Sequence, residues 1–194
     1  MPSVNLIPLQ TLRLSAHYIP SHAHIPNTSP HNHPLLVYHS AFPSNTLPAV
    51  LESHLPKNSL IPQWRYTMYQ TTHYHSTTHE VLCVFSGRAR LLFGGEANPG
   101  KVEKEVKAGD AIVVPAGVGH RLLEDLEGGF EMVGAYPKGC NWDMCYGEAG
   151  EEEKAKAKAV GKVGWFKKDP LYGDDGPVLW GKERLEKCGG KKKE

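Results

Sequence analysis

Long apolar runs are missing from this chain. Nothing in its 194 residues approaches the roughly 18 consecutive apolar positions that a membrane span needs. An excess of charge is missing too. The 22 Lys and Arg against 21 Asp and Glu leave a formal net charge of +1, with a sequence pI near 7.7. That balance offers neither a nucleic-acid surface nor a polybasic membrane anchor. The opening stretch, MPSVNLIPLQTLRLSAHYIP, has no basic n-region followed by a continuous apolar segment, so no secretory signal is expected. No acidic residue precedes Glu52, which faintly resembles a mitochondrial presequence, but Arg13 is the only Lys or Arg before that point. Cysteine is scarce: Cys83, Cys140, Cys145 and Cys188 show neither the spacing of a disulfide framework nor that of a zinc knuckle. A reduced, cytoplasmic setting is the expectation, and Asn27-Thr28-Ser29 is a chance sequon.

The length suits one structural domain with decorations, enough to bury a core, and three zones are visible. Residues 1–60 are rich in Pro, Asn, Ser and His and read as an extended N-terminal arm, with a strand at Leu35–Tyr38 and a short helix around Leu47–His54. Residues 61–147 read as all-β. WRYTMYQTTHYH, EVLCVFSG, RARLLFGG, KVEKEVKAGD, AIVVPAG, HRLLE and FEMVGAYP are short β-branched or aromatic pieces separated by Gly, Pro and Asp. Such spacing suggests a small sandwich or barrel. Residues 148–194 hold a charged helix in EAGEEEKAKAKAV, a Gly/Pro-rich loop with buried-looking aromatics, a short helix and a solvated Lys tail. GEANPGK, residues 95–101, copies the glycine and lysine spacing of a phosphate loop. Val102 stands where Ser or Thr is required, however, and the following residues alternate like a strand, so this is a hairpin loop.

The histidines carry the chemistry. Of 11 in the chain, the four beyond residue 54 fall in two stretches, THYHSTTHEVLCVFSG at 72–87 and GDAIVVPAGVGH at 109–120. His73 and His75, at i and i+2 of a β segment, share a face. STTH should then turn the chain and return Glu80 beside His75, while Pro115-Ala116-Gly117 should turn it again and deliver His120 at the head of a strand. Three imidazoles and a carboxylate converging in an apolar barrel need compensation, because each unsatisfied buried polar group costs about 1–3 kcal/mol. A divalent metal supplies it, accepting lone pairs from neutral imidazole and carboxylate at about 2.0–2.2 Å. The competing readings are a solvent-facing histidine-rich loop and a hydrogen-bonded core network. His79 either orients a ligand or is an exposed loop histidine. Tyr69 and Thr71 share the face of His73, Leu82 and Val84 follow Glu80 inward with Cys83 on the opposite face, and either Met132 or Glu131 faces in. Cys140 and Cys145 lie close enough in sequence to meet under oxidation.

These residues also carry a resemblance. His73, His75, Glu80 and Gly87 match the first motif of the cupin superfamily, G-x5-H-x-H-x(3,4)-E-x6-G, and Gly109, Pro115, Gly117 and His120 match the second, G-x5-P-x-G-x2-H. The one departure is Thr67 in place of the leading glycine. With WRY, YPKGCNWD and DPLYGDDGP, the chain resembles the YjlB-like branch of single-domain cupins over roughly residues 35–180. The resemblance implies a double-stranded β-helix, the RmlC-like jelly-roll barrel, with the N-terminal arm and short C-terminal helical and loop decorations added to it. It also implies a site in which His73, His75, Glu80 and His120 hold one divalent transition metal, among Fe, Mn, Ni, Cu and Zn, and it brings no substrate.

The function expected on these grounds is a mononuclear metal enzyme of oxygenase or lyase/isomerase type acting on a small oxygenated molecule, with no catalytic residue assigned beyond the metal ligands. The alternative is a cupin that binds metal or a small ligand without turnover. Cupin barrels commonly pair through an edge strand or a swapped arm. A homodimer is therefore expected, with LLVYH available to cover such an edge.

Overall fold

The computed structural model describes residues 4–189. The Lys-rich end read as a solvated tail lies outside them. Strands β1 (Arg13–His17), β2 (Leu35–His39), β3 (Leu60–Tyr66), β4 (Glu80–Ser86), β5 (Arg88–Phe93), β6 (Val102–Lys107), β7 (Ala111–Val114), β8 (His120–Asp125) and β9 (Glu131–Pro137) form two antiparallel sheets. The larger runs β1-β2-β7-β4-β9-β3 and the smaller β6-β5-β8. This is a jelly-roll barrel.

The two sheets read differently in sequence because they are buried differently. One face of the large sheet meets the small sheet, and Leu35, Val37, Leu82, Val84, Ile112, Val114 and Met132 pack there against Ala89, Leu91, Phe93, Val106 and Leu122. Its other face is also covered: Leu36, Tyr38, Val81, Cys83, Val113 and Val133 pack under helix α1 (Pro48–His54) and C-terminal segments that contribute Leu171, Val178 and Leu185. Strands buried on both faces lose their alternation, which is why LLVY, EVLCVF and AIVV are continuous apolar runs. The small sheet is wet outside, so KVEKEVK alternates, and its outer charges pair as Arg88–Glu105 at 2.6 Å and Arg90–Glu124 at 3.0 Å.

The arm is part of this sheet. Its strand β2 pairs with β7 on one side and β1 on the other, so LLVYH lies along β7 within its own chain, and β1, absent from the sequence reading, forms the outer edge. Leu51 and Leu55 from the arm and Leu171 and Leu185 from the C-terminal zone are all buried. At about 1.5–3 kcal/mol for each such side chain, both zones are integral to stability. Helix α3 (Lys182–Gly189) sets Leu185 against the core that includes Leu14 of β1. Helix α2 (Glu151–Ala159) buries nothing and is laced by Lys154–Glu151 and Lys156–Glu152 pairs, both at 2.8 Å. The GEANPGK stretch is the loop of the β5–β6 hairpin. Among the described residues, no helix is long and apolar enough to cross a membrane.

Candidate metal centre

His73 and His75 do not lie on a regular strand. Residues 67–79 form an irregular segment, anchored by single bridges from His73 to His120 and from Tyr74 to Cys145. Main-chain bonds His120 N to His73 O (2.8 Å) and His73 N to His120 O (3.2 Å) set the two histidines side by side. The Gly117 N–H donates to the His75 carbonyl at 2.8 Å. Gly117 is needed there: its φ is +84°, and a Cβ would come within 2.8 Å of Val160. Glu80 opens β4, whose partners are β7 and β9, so its approach to His75 is made by the sheet and not by the tight hairpin the sequence suggested.

The three imidazoles are buried, and one ring nitrogen from each falls within 4.8 Å of the others. Each ring's Nδ1 faces a main-chain carbonyl: Thr71 for His73 (3.0 Å), Asp143 for His75 (2.5 Å) and Val118 for His120 (2.9 Å). A carbonyl only accepts, so each Nδ1 carries the proton and each neutral ring presents the Nε2 lone pair. Glu80 Oε1 lies 3.5 Å from His75 Nε2, and Oε2 lies 3.4 Å from His120 Nε2. With all three rings neutral, lone pairs face lone pairs, and a shared cation, either a metal ion or a proton on His75, relieves that arrangement.

Electrostatics agree. Burial lowers the pKa of His73, and burial followed by its histidine neighbours brings His120 down to about 3, so both are neutral. For His75 burial is outweighed by the Glu80 carboxylate, and its pKa is raised. For Glu80 burial is outweighed by His75, His120 and Tyr136, and its pKa falls to about 2. A single proton on His75 is therefore the competitor of a metal ion. Donors held about 2.0–2.2 Å from one ion sit roughly 3–3.5 Å apart, which the two carboxylate contacts match. Three buried histidines with this chemistry could bind a metal.

The surroundings hold residues that sequence reasoning missed. The Tyr136 hydroxyl donates to Glu80 Oε1 and accepts from the Trp64 indole N–H at 2.9 Å. Period-two alternation in FEMVGAY would have found it, since Met132, Gly134 and Tyr136 share a face. Asp143 anchors the other side: its carboxylate accepts from Ser76 N (2.7 Å), Ser76 Oγ (2.6 Å) and the Cys145 thiol (3.3 Å), while its carbonyl receives His75. No local pattern marks it. A cavity of about 250 Å³ opens beside the cluster, lined by Trp64, Tyr69, Tyr136, Trp142 and the methionines 68, 132 and 144.

Other expectations resolve individually. Tyr69 and Leu82 line the cavity, Met132 faces in while Glu131 is exposed, and Cys83 packs on the far side of the sheet. Val84 points inward into the core between the sheets. Thr71 is exposed, because the segment is irregular and alternation fails. His79 is neither exposed nor aimed at the cluster. It is fully buried against Trp165 and Phe166, and its Nδ1 accepts the Ala116 N–H at 2.8 Å. His31, from the arm, donates to the Ala116 carbonyl at 2.8 Å. Two histidines thereby grip the turn that delivers His120. Cys140 and Cys145 are free thiols, the latter buried.

The cupin domain model matches residues 67–131, the stretch that contains all four grouped side chains. The chain is also 35% identical over 163 residues to the uncharacterised protein YjlB of Bacillus subtilis (strain 168), covering 84% of this chain and 93% of that one. The chain belongs to the cupin family. Among solved structures, a mutant of Bacillus subtilis oxalate decarboxylase aligns at 17% identity and TM-score 0.34, over 58% of this cupin and 23% of that chain. Procruciferin, the 11S globulin of Brassica napus, aligns at 15% identity and TM-score 0.32, over 57% and 22% respectively. This cupin spans under a quarter of the length of either.

Proposed function

We infer that this cupin is a mononuclear divalent-metal enzyme in which His73, His75, Glu80 and His120 hold the ion, and that it acts on a small oxygenated molecule by oxygenase-type or lyase/isomerase chemistry. The observation that carries this reading is the common tautomer: three Nδ1 protons are tied to carbonyls, so three Nε2 lone pairs are committed to one point beside Glu80. When bound, the metal would polarise a substrate oxygen or serve as a dioxygen site; Fe, Mn, Ni, Cu and Zn all suit this donor set. The chain's own part is positional. Thr71, Asp143 and Val118 orient the rings, Tyr136 holds the carboxylate, and the aromatic wall limits water around the reacting molecule.

Metal analysis of protein purified with and without air tests the reading, followed by an oxygen-uptake screen over small diketones, phenols and organic acids. About one ion per chain is expected. His75→Ala should lose the ion and any turnover while keeping its far-ultraviolet circular dichroism. Protein that takes up none of the five metals would end the reading, and a loaded protein with no turnover would reduce it to a binding function. The same proposal includes a reduced, cytoplasmic setting, in keeping with four free cysteines. It also includes a homodimer, for which the outer edge of β3 is available. Light scattering at micromolar concentration should give twice the monomer mass.

A further inference from the structure

The composition of the cavity says which molecules suit it. We propose that the site selects singly charged chelators carrying a flat apolar ring, and disfavours small dianions; this rests on the metal reading above. Size is the first argument. The cavity measures about 250 Å³, and since roughly 150 Å³ accommodates benzene, one ring with a polar head fits.

The walls are the second argument. Tyr69 stands edge-on to the His73 ring with centroids 5.6 Å apart, and Trp142 lies 6.0 Å from the His75 ring. Both project beyond the buried histidines, 52% and 42% exposed respectively, so their faces remain open to an incoming molecule. The Trp142 indole N–H donates to Gln63 at 3.1 Å, which holds that ring in place before anything binds. Met132 and Met144 add polarizable surface that adapts to an aromatic partner.

Charge is the third. A divalent ion with Glu80 carries a net +1, so a monoanionic head neutralises the site, and a second negative group would have to find its own partner. The only cationic side chain among the lining residues is Arg65. Its Nε and an Nη both donate to the Glu52 carboxylate at 2.6 Å, so it is already paired. A second carboxylate would lose water against rings and thioethers with nothing to replace it.

Three hydroxamates with the same chelating head separate these effects: benzohydroxamate (phenyl), acetohydroxamate (methyl) and succinic monohydroxamate (a second carboxylate). Zinc uptake by the full-length chain is measured first, and each compound is then titrated by calorimetry. The phenyl compound should bind about 10- to 100-fold more tightly than the methyl one, and the carboxylate compound should be the weakest. Trp142→Ala should bring the phenyl compound to within about threefold of the methyl one; Tyr69→Ala provides the same comparison if the first variant does not fold. Equal affinities, a tightest-binding dianion, or a phenyl preference that survives both variants would overturn the inference while leaving the metal site intact. Zinc bound with no hydroxamate binding would also overturn it. Failure to take up zinc would move the same titrations to whichever of Fe, Mn, Ni or Cu the chain binds, and uptake of none of the five would remove the metal reading and this one with it.

Discussion

At Tyr136 a single hydroxyl serves two neighbours, donating to Glu80 and accepting from Trp64. Burial, then Glu80, pushes its pKa far above the usual phenol range, so the proton stays on oxygen and the bond keeps its direction. Tyr136→Phe removes that donor and strands the indole N–H. Groups that orient a ligand typically contribute 10–100-fold to metal affinity. The variant should therefore bind zinc about tenfold more weakly in competition with a chromogenic chelator, with its helix and sheet content unchanged. The four ligand candidates were legible in sequence because they sit at rigid spacings around Gly, Pro and short strands. Asp143 was not, because it reaches the site from the loop after β9, 68 residues from His75, and for Tyr136 alternation gives the inward face but not its partner Glu80, 56 residues away.

At the scale of an element, β9 shows how a glycine shapes the site. Gly134 faces the indole of Trp64 from the neighbouring strand so closely that any Cβ would strike the ring. Gly134→Ala should force the ring off β9, break its bond to Tyr136 and destabilise the fold by about 1–3 kcal/mol. A lower urea midpoint and an altered near-ultraviolet tryptophan signal would register both effects. Most strands could be read from short β-branched pieces between turn residues. The exceptions are informative. β1, RLSAH, is only partly buried and lacks a clear alternation, so its strand character comes from pairing with β2. The segment carrying His73 and His75 looked like a strand, yet it is held by isolated bridges and by Asp143, contacts that no local pattern encodes.

For the molecule as a whole, buried neutral histidines make stability depend on pH. Burial, then His31 and His33, lowers the pKa of His79 from 6.5 to about 3. Between those values the unfolded chain binds a proton that the folded chain refuses. Stability is complete above pH 6.5 and declines as the pH falls toward 3. His79 alone should cost about 1.4 kcal/mol per pH unit in that window, or about 2 kcal/mol by pH 5. Urea titrations of metal-free protein at pH 7 and pH 5 should show a loss of that order, with the raised His75 pKa offsetting part of it. His79→Asn, which keeps an acceptor for the Ala116 N–H, should shrink the difference between the two pH values. The zoning of the sequence into arm, barrel and decorations was visible from composition, but the depth of their union was not, because short apolar pieces between prolines give no sign of which sheet they join.

That union limits how the chain can be shortened. Trimming to the segment that bears the two histidine motifs looks harmless on paper, yet it would strip β1 and β2 from β7 and remove His31 from the Ala116 turn. A naked, wholly apolar strand would then border the sheet, an invitation to stick to its own kind. Proteolytic loss of residues 1–39 would yield aggregates in place of a leaner barrel.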